Sequence, residues 1–171
     1  MIIAFSGTPG VGKTYLAKKL SALNPRMEYF DLNKYIKDQK LYDSYDRKAK
    51  TYDVDVEKLK KIVNPTLKKN LSENTILDSL IGKTLNVDSL LQKMKKLPKN
   101  VEGIIVDSHL SHYLESDYCI IVRTDLKKLY NRLNKRKYSK AKIHDNVESE
   151  IFEVCLDEAR KLKRNIIIVN N

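Results

Sequence analysis

Eight consecutive residues near the amino terminus have the types and the spacing that hold a polyphosphate. Positions 7–14 read GTPGVGKT and match the pattern G-x-x-x-x-G-K-[ST]. Glycines let the backbone curl until its N–H groups converge on phosphate oxygens; Lys13 then reaches the β- and γ-phosphates, and the Thr14 hydroxyl is a ligand for Mg²⁺. The segment therefore predicts a P-loop that binds a nucleoside triphosphate such as ATP together with Mg²⁺.

The surroundings of this motif support the same interpretation. An apolar run over 2–6 predicts a strand before it, and Leu16, Leu20 and Leu23 predict a helix after it that ends before Pro25. Such a helix directs the positive end of its dipole at a bound anion. Three of the chain's 5 glycines lie within the motif, where backbone must approach a ligand closely. The predicted triphosphate contacts are Gly10, Val11, Gly12, Lys13, Thr14 and Tyr15.

A carboxylate at the end of a second buried strand is expected to support the Mg²⁺ ion in such a site. Asp78 and Asp107 both follow apolar runs, and Asp107 is preferred because its run is longer and His109 follows two residues later. His109 is predicted to position a water or a substrate oxygen; the alternative is a loop histidine with a structural hydrogen bond. His112 is expected to face solvent or to pack. No Cys/His spacing indicates zinc.

Positive charge is concentrated late in the chain. Residues 123–145 hold nine Lys or Arg against two Asp. A mobile lid whose arginines close on the triphosphate would explain this excess, because charge that develops on the transferred phosphoryl group needs cations beyond Lys13. A solvated helix face is the alternative for most of the lysines. Arg132 and Arg136 are the predicted phosphate contacts, with Arg136 preferred, since the guanidinium fork suits phosphate.

Apolar runs alternate with helical patterns along the chain, which predicts an α/β fold with a parallel sheet flanked by helices. The predicted strands cover 2–6, 29–31, 75–78, 103–107, 118–122 and 166–169. Near the end, Asn146 and the acidic residues 148–150 predict the first turn of a helix that continues to Leu162. Residues 32–100 include apolar positions such as Leu71, and we interpret them as mostly helical, forming an insertion or flap on the sheet.

Composition limits the class of protein. The 171 residues suit one domain, and no apolar run approaches the length of a membrane span. Cys119 and Cys155 lack C-x-x-C spacing and lie in apolar patterns, which predicts buried free thiols in a protein that is cytoplasmic, or nuclear if its host is a eukaryote. The formal net charge of +11 favours polyanionic partners, although a lysine-rich surface also serves solubility alone.

These residues together resemble the adenylate kinase 6 family, which comprises the coilin-interacting nuclear ATPase of eukaryotes and its archaeal counterparts. The P-loop motif is shared by many kinases, whereas the Asp-x-His element and the Asn-Val-Glu-x-Glu-Ile block are far more specific to this family. The matching segments are 7–14, 41–46, 106–109, 122–125, 129–133, 136–142 and 145–152.

The resemblance implies a P-loop nucleoside-monophosphate-kinase fold over 1–171, with a monophosphate-binding segment near 31–54 and a lid near 135–145. It implies broad-specificity phosphoryl transfer between ATP and monophosphates such as AMP, together with ATPase activity. Asp107 and His109 would form its Walker B-like pair, and Arg136 would be the lid arginine on ATP. It also implies a role in late small-ribosomal-subunit maturation, through an S11-type platform protein and pre-ribosomal RNA.

Two positions depart from the family pattern. Lys137 replaces the glycine that usually follows the lid arginine, and Lys37 replaces a common arginine in the monophosphate segment. Three hypotheses follow: a monophosphate kinase, a ribosome-assembly ATPase with little kinase activity, and a metabolite kinase of the shikimate or dephospho-coenzyme A type. The third does not account for the Asp-x-His and Asn-Val-Glu blocks.

Overall fold

A computed structural model describes residues 1–47, 51–67, 76–162 and 164–171. Within these ranges the chain forms eight strands and seven α-helices. The strands are β1 (Ile2–Ser6), β2 (Met27–Asp31), β3 (Ser44–Asp46), β4 (Thr51–Asp53), β5 (Thr84–Asn86), β6 (Gly103–Asp107), β7 (Tyr118–Arg123) and β8 (Ile166–Asn170). The helices are α1 (Lys13–Leu23), α2 (Leu32–Asp38), α3 (Val56–Leu67), α4 (Val87–Lys95), α5 (Leu126–Lys135), α6 (Lys140–Ile151) and α7 (Val154–Lys161).

Six strands form one sheet in the order β2-β6-β1-β7-β8-β5, and every neighbouring pair in it is parallel. Helices cover both of its faces, so continuous apolar runs, rather than alternating ones, make its central strands. The predicted α/β class is confirmed. Five of the six predicted strands lie at β1, β2, β6, β7 and β8.

Alternate side chains of each strand enter different cores. Ile3 and Phe5 of β1 pack on the face that is covered by α1, α4 and α5. Ala4 points to the opposite face, where Leu156 and Ala159 of α7 complete a small core. The same opposite face carries α2 and α3 on β6. Because alternate residues point to opposite faces, each of these strands contributes to the cores on both sides of the sheet.

The carboxyl ends of β1 and β6 meet at one edge of the sheet. Their register pairs Phe5 with Asp107, so the loop that follows β1 begins beside the residues that follow β6. Because β1 lies between β6 and β7, this edge is the point where the strand order changes direction. Open α/β sheets bind ligands at such a point.

For the middle of the chain, one predicted strand is wrong, and the predicted helices are present as α2, α3 and α4 but do not account for the whole stretch. Of the strand predicted over 75–78, Thr75 lies outside the described residues, as does Leu71, while Asp78 begins a 3₁₀ turn and accepts a hydrogen bond from the Tyr118 hydroxyl at 2.7 Å. The stretch 32–100 is also not simply a helical insertion. It contributes the antiparallel hairpin β3–β4 and the sheet's edge strand β5, whose three residues are too few to show a periodic signal.

The carboxyl-terminal helix is likewise not continuous. Its first helix, α6, begins at Lys140 and is capped by the Ser139 hydroxyl, which is earlier than predicted. Asn146, predicted near the helix start, lies inside α6, and its amide donates to the Lys142 carbonyl oxygen. Between α6 and α7 the backbone of Glu153 is left-handed, with φ of 54°, and its carboxylate pairs with Arg123. This tertiary ion pair helps to hold a break that the helical spacing did not indicate.

Among the described residues, no helix has both the length and the apolar composition needed to cross a bilayer. Both cysteines are free thiols. Cys119 is buried as predicted, whereas Cys155 is only half-buried, because it lies on the wall of a cleft at the carboxyl edge of the sheet.

Candidate active site

The loop between β1 and α1 requires glycine because backbone and side chains approach it closely. Gly7 has φ of 131°, and a Cβ there would lie 2.3 Å from the Val122 carbonyl oxygen. Gly12 has φ of 105° and precedes the first residue of α1; a Cβ there would lie 2.1 Å from Asn171 Nδ2. A side chain at Gly7 would push the loop away from the sheet backbone, and one at Gly12 would be strained by the positive φ and would displace the Asn171 side chain. The loop thus keeps the tight curl that directs N–H groups at an anion.

Lys13 is buried at the base of this loop. Its Nζ donates to the carbonyl oxygens of Gly7 at 2.6 Å and Thr8 at 3.0 Å. Burial lowers the pKa of Lys13 to about 8, and the Asp107 carboxylate opposes part of that effect. The ammonium is therefore poorly compensated, and it would gain from a phosphate at the loop. Thr14 and Tyr15 are exposed where α1 begins, and both line the cleft.

Three side chains from distant parts of the sequence brace the loop. Buried Glu150 accepts a hydrogen bond from the Thr8 hydroxyl at 2.6 Å. Arg132 and the Asn171 amide donate to the Val11 carbonyl oxygen at 3.0 and 2.6 Å. Val11 itself is fully buried, so only its backbone is available to a ligand. Arg132 thus serves the loop rather than the phosphates, contrary to its predicted placement.

Asp107 ends β6 next to the loop and is 2% exposed. Its Oδ2 accepts from the Tyr29 hydroxyl at 2.9 Å. Its Oδ1 is buried and has no hydrogen-bond partner among the described residues. A buried carboxylate oxygen without a partner is costly unless a ligand satisfies it. Together with the Thr14 hydroxyl it offers the hard oxygen donors that Mg²⁺ prefers, so these residues fit the ion.

The two histidines after β6 have different environments. His109 lines the cleft, and burial together with the charge of Lys13 lowers its pKa to about 4. Its ring is therefore neutral at pH 7 and has a nitrogen that can accept a proton or a hydrogen bond. His112 was predicted either to face solvent or to pack, and it is buried. Its ring nitrogens lie 2.7 Å from Ser6 Oγ and 3.0 Å from Glu158 Oε2.

These residues surround one cleft of about 780 Å³. The P-loop and the end of β6 form its floor, and Arg136 and Tyr138 come from the region predicted as a lid. The predicted monophosphate segment supplies another wall with Asn33, Ile36, Thr51, Tyr52 and Val54. Lys142 joins the two predicted segments, since its Nζ lies 3.0 Å from the Thr51 hydroxyl.

The structure thus brings together Lys13, Thr14, Asp107, His109 and Arg136, all of which the sequence predicted. It also adds residues that the sequence analysis missed. Tyr29, Glu150 and Asn171 contact the site from distances of up to 160 residues along the chain. No local motif marks them, although the Glu150 position falls inside the Asn-Val-Glu-x-Glu-Ile block.

Known proteins similar to this chain include a matching domain family and several proteins named as adenylate kinases. A family model described as an AAA domain matches residues 3–153. The adenylate kinase isoenzyme 6 homologue of Schizosaccharomyces pombe is 32% identical over 162 residues, covering 93% of this chain and 74% of its own. The corresponding homologue of Dictyostelium discoideum is 31% identical over 170 residues, covering 98% and 78%.

A protein of Methanocaldococcus jannaschii, provisionally named an adenylate kinase, is 33% identical over 162 residues, which are 94% of this chain and 72% of its own. Among solved structures, a sugar kinase of a Janibacter species superposes with a TM-score of 0.50 at 10% identity, covering 99% of this chain and 84% of that one. This last likeness concerns the fold alone.

Proposed function

Because the chain belongs to the AAA-domain family that includes the adenylate kinase isoenzyme 6 homologues, we propose that it is a nucleoside monophosphate kinase of broad specificity. It transfers the terminal phosphate between ATP and monophosphates such as AMP. The observation that carries the proposal is the single cleft, in which the P-loop and Asp107 face the 31–54 and 135–145 segments. That arrangement provides room for a donor and an acceptor in one enclosure.

The chain's own groups would hold and orient the donor. The P-loop N–H groups and the Lys13 ammonium bind the β- and γ-phosphates, and Arg136, which lines the same cleft, adds a second cation. Thr14 and Asp107 would hold Mg²⁺, which supplies charge neutralisation on the phosphate oxygens when bound. Residues 31–54 hold the acceptor, and the 135–145 region, which already contacts Thr51 through Lys142, excludes water from the transfer.

A coupled assay of ADP formation tests this proposal. With ATP and Mg²⁺ present, AMP is expected to raise the rate well above that of ATP alone, and other monophosphates are expected to do so to differing degrees. Lys13→Ala, which lacks the buried ammonium, provides the inactive background. A rate that no monophosphate raises would reject the kinase function while leaving nucleotide binding intact.

A second candidate, an assembly ATPase with little kinase activity, is favoured by the position of His109. Its neutral ring faces the cleft and can orient a water for attack on the triphosphate. Lys37, where the family pattern usually has arginine, also leaves the acceptor without a bidentate clamp. We expect His109→Ala to lower hydrolysis more than transfer to AMP. Equal losses in the two reactions would rule out a water-positioning role.

The same proposal includes a role in small-ribosomal-subunit maturation in the cytoplasm, with an S11-type platform protein and pre-ribosomal RNA as partners. Its support is the family resemblance and the net charge of +11, which attracts polyanions. A pull-down of purified S11-type protein is expected to strengthen when ATP is present. Retention that is identical with and without nucleotide would argue against a nucleotide-driven switch.

A further inference from the structure

Three side chains that the proposed phosphoryl transfer does not use meet beside the P-loop. The ligand atoms of His112, Cys155 and Glu158 all lie within 4.8 Å of one another. His112 comes from the turn after β6, whereas Cys155 and Glu158 lie one helical turn apart on α7. The sequence showed no zinc spacing because the cluster joins two elements that are 43 residues apart. Only the fold places these groups together.

The histidine is oriented for coordination by a neighbour. Its Nδ1 lies 2.7 Å from the Ser6 hydroxyl, and its Nε2 points at Glu158 Oε2, 3.0 Å away. An imidazole held through one nitrogen presents the other in a fixed direction, as is usual for metal-binding histidines. The ring is 1% exposed and the Glu158 side chain 34% exposed, so the group is built into the wall rather than spread over a surface.

The three donors differ in kind from those at the P-loop. A nitrogen, a sulfur and one carboxylate oxygen suit Zn²⁺ and similar transition ions, whereas Mg²⁺ prefers oxygen ligands alone. On binding, the Cys155 thiol would release its proton, and thiolate plus carboxylate would then balance the charge of a divalent ion. Two nearby cations oppose binding: the guanidinium of Arg164, which donates to the His112 carbonyl oxygen at 3.0 Å, and the Lys13 ammonium, whose charge acts on Cys155.

We propose that His112, Cys155 and Glu158 bind a zinc-class divalent ion at a site separate from the Mg²⁺ ligands Thr14 and Asp107. Three protein ligands leave a fourth position of the tetrahedron, and it opens toward the cleft because Cys155 and Glu158 line the cleft wall. Cys155 also lies beside the backbone N–H of Gly7. An ion held there would sit against the first residue of the P-loop.

The chain offers matched controls for this site. Cys119 is a second free thiol, but it is buried in the sheet among apolar side chains. His144, Asp145 and Glu148 form a second group of possible ligands, all of them exposed, and therefore report weak surface binding. Variants Cys119→Ser and His144→Ala remove a thiol or an imidazole but leave the three proposed ligands unchanged; Cys119→Ser is the closer control, since Cys119 packs beside α7.

Titration of the full chain with Co²⁺, a spectroscopic substitute for Zn²⁺, tests the proposal independently of any nucleotide reaction. We expect one Co²⁺ to bind with a near-ultraviolet thiolate charge-transfer band and the visible bands of tetrahedral cobalt, and Zn²⁺ to displace it. Cys155→Ser is expected to abolish the thiolate band. Glu158→Gln, a milder change at a partly exposed position, is expected to weaken binding by at least about 10-fold.

Cys119→Ser and His144→Ala are expected to keep the spectrum and the affinity of the unmodified chain. The proposal is overturned if no thiolate band forms, if Cys155→Ser retains it, or if Cys119→Ser removes it. Binding that is lost in His144→Ala but kept in Glu158→Gln would place the ion on the exposed group instead. Each of these outcomes is independent of whether the chain phosphorylates AMP.

Discussion

At the scale of single residues, the site combines a buried cation with a buried anion that each lack a full complement of partners. Among the described residues, the Lys13 ammonium donates hydrogen bonds only to carbonyl oxygens of the loop, and Asp107 Oδ1 has no hydrogen-bond partner. Both groups are costly to bury in this state. A triphosphate with its Mg²⁺ ion would satisfy them together, which links the polarity of the site to its ligand.

Removal of either group is expected to lower turnover by at least about 100-fold, the scale of lost transition-state charge stabilisation. The variants are Lys13→Ala and Asp107→Ala, compared by steady-state kinetics with ATP and AMP. Tyr29→Phe is the matched control, since it removes one hydrogen bond to Asp107 but keeps the carboxylate. Its expected loss is below about 10-fold, the value of a single hydrogen bond. A Tyr29→Phe loss as large as that of Asp107→Ala would contradict the assigned roles.

The lowered pKa of Lys13 predicts how ATP affinity depends on pH. A phosphate binds the protonated ammonium, and this form is lost as pH rises through about 8. The affinity measured by calorimetry is therefore expected to fall about tenfold between pH 7 and pH 9. The arginine of the Lys13→Arg variant stays charged over this range. The ATP affinity of that variant should therefore show no such fall, whether it is high or low at pH 7. Parallel pH profiles for the two proteins would assign the dependence to another group.

The same shift has the opposite sign for stability. The folded-state pKa of Lys13 is about 8 against 10.5 for the free side chain, so the unfolded chain binds more protons between these values. The contribution of Lys13 to the free energy of unfolding therefore rises with pH across that window. Burial of this charge lowers stability at neutral pH, and the cost is present without ligand.

At the scale of elements, the turn between α5 and α6 holds its shape in a conformation that favours glycine. Lys137 has φ of 56°, and its N–H donates to the Asn134 carbonyl oxygen at 2.8 Å. The resemblance implies glycine at this position, and the left-handed backbone of Lys137 agrees with that expectation. The lysine keeps the turn at the cost of left-handed strain, of order 1 kcal/mol.

Lys137→Gly is therefore expected to raise the free energy of unfolding by about 1 kcal/mol. Glycine adopts this φ without a Cβ penalty, and the exposed lysine side chain makes no hydrogen bond or ion pair with the residues that the structure describes. Urea denaturation measures the change. Lys137→Ala, which keeps the Cβ and loses the same charge, is the control and should not stabilise. Equal stabilisation by both variants would attribute the effect to charge rather than to backbone conformation.

At the scale of the whole molecule, the two segments that flank the cleft are already in contact through Lys142 and Thr51. A ligand that fills both halves of the cleft should therefore bind without a large additional ordering cost. The P-loop side and the 31–54 side would each contribute to its affinity. ATP alone would use only one of them.

A two-substrate analogue that joins adenosine groups through a phosphate chain is accordingly expected to raise the melting temperature more than ATP at the same concentration. A ligand that binds only the folded state and is present at 100 times its Kd raises the free energy of unfolding by about 2.7 kcal/mol. Scanning calorimetry in the presence of Mg²⁺ makes the comparison, with Lys13→Ala as the variant that should lose both shifts. An analogue no better than ATP would show that residues 31–54 do not bind an acceptor.

The sequence by itself determined the features that depend on neighbours along the chain. The P-loop, the strands β1 and β6, and helix α1 follow from glycine spacing, apolar runs and a proline, because turns and short buried strands reflect local sterics. Lys13, Thr14, Asp107 and His109 were therefore predicted from motif and strand position, and the structure places all four on one cleft. Segments with weak local signals, such as β5 and the β3–β4 hairpin, were missed.

Only the tertiary structure decided which distant residues support the site. Glu150 reaches Thr8, and Asn171 reaches Val11, because parallel strands bring segments far apart in sequence to one edge of the sheet. The break at Glu153 depends likewise on its ion pair with Arg123 from β7. Such contacts depend on packing across the sheet, which produces no periodic pattern in the sequence. The local motif therefore indicates the chemistry of the site, whereas its supporting residues are known only from the fold.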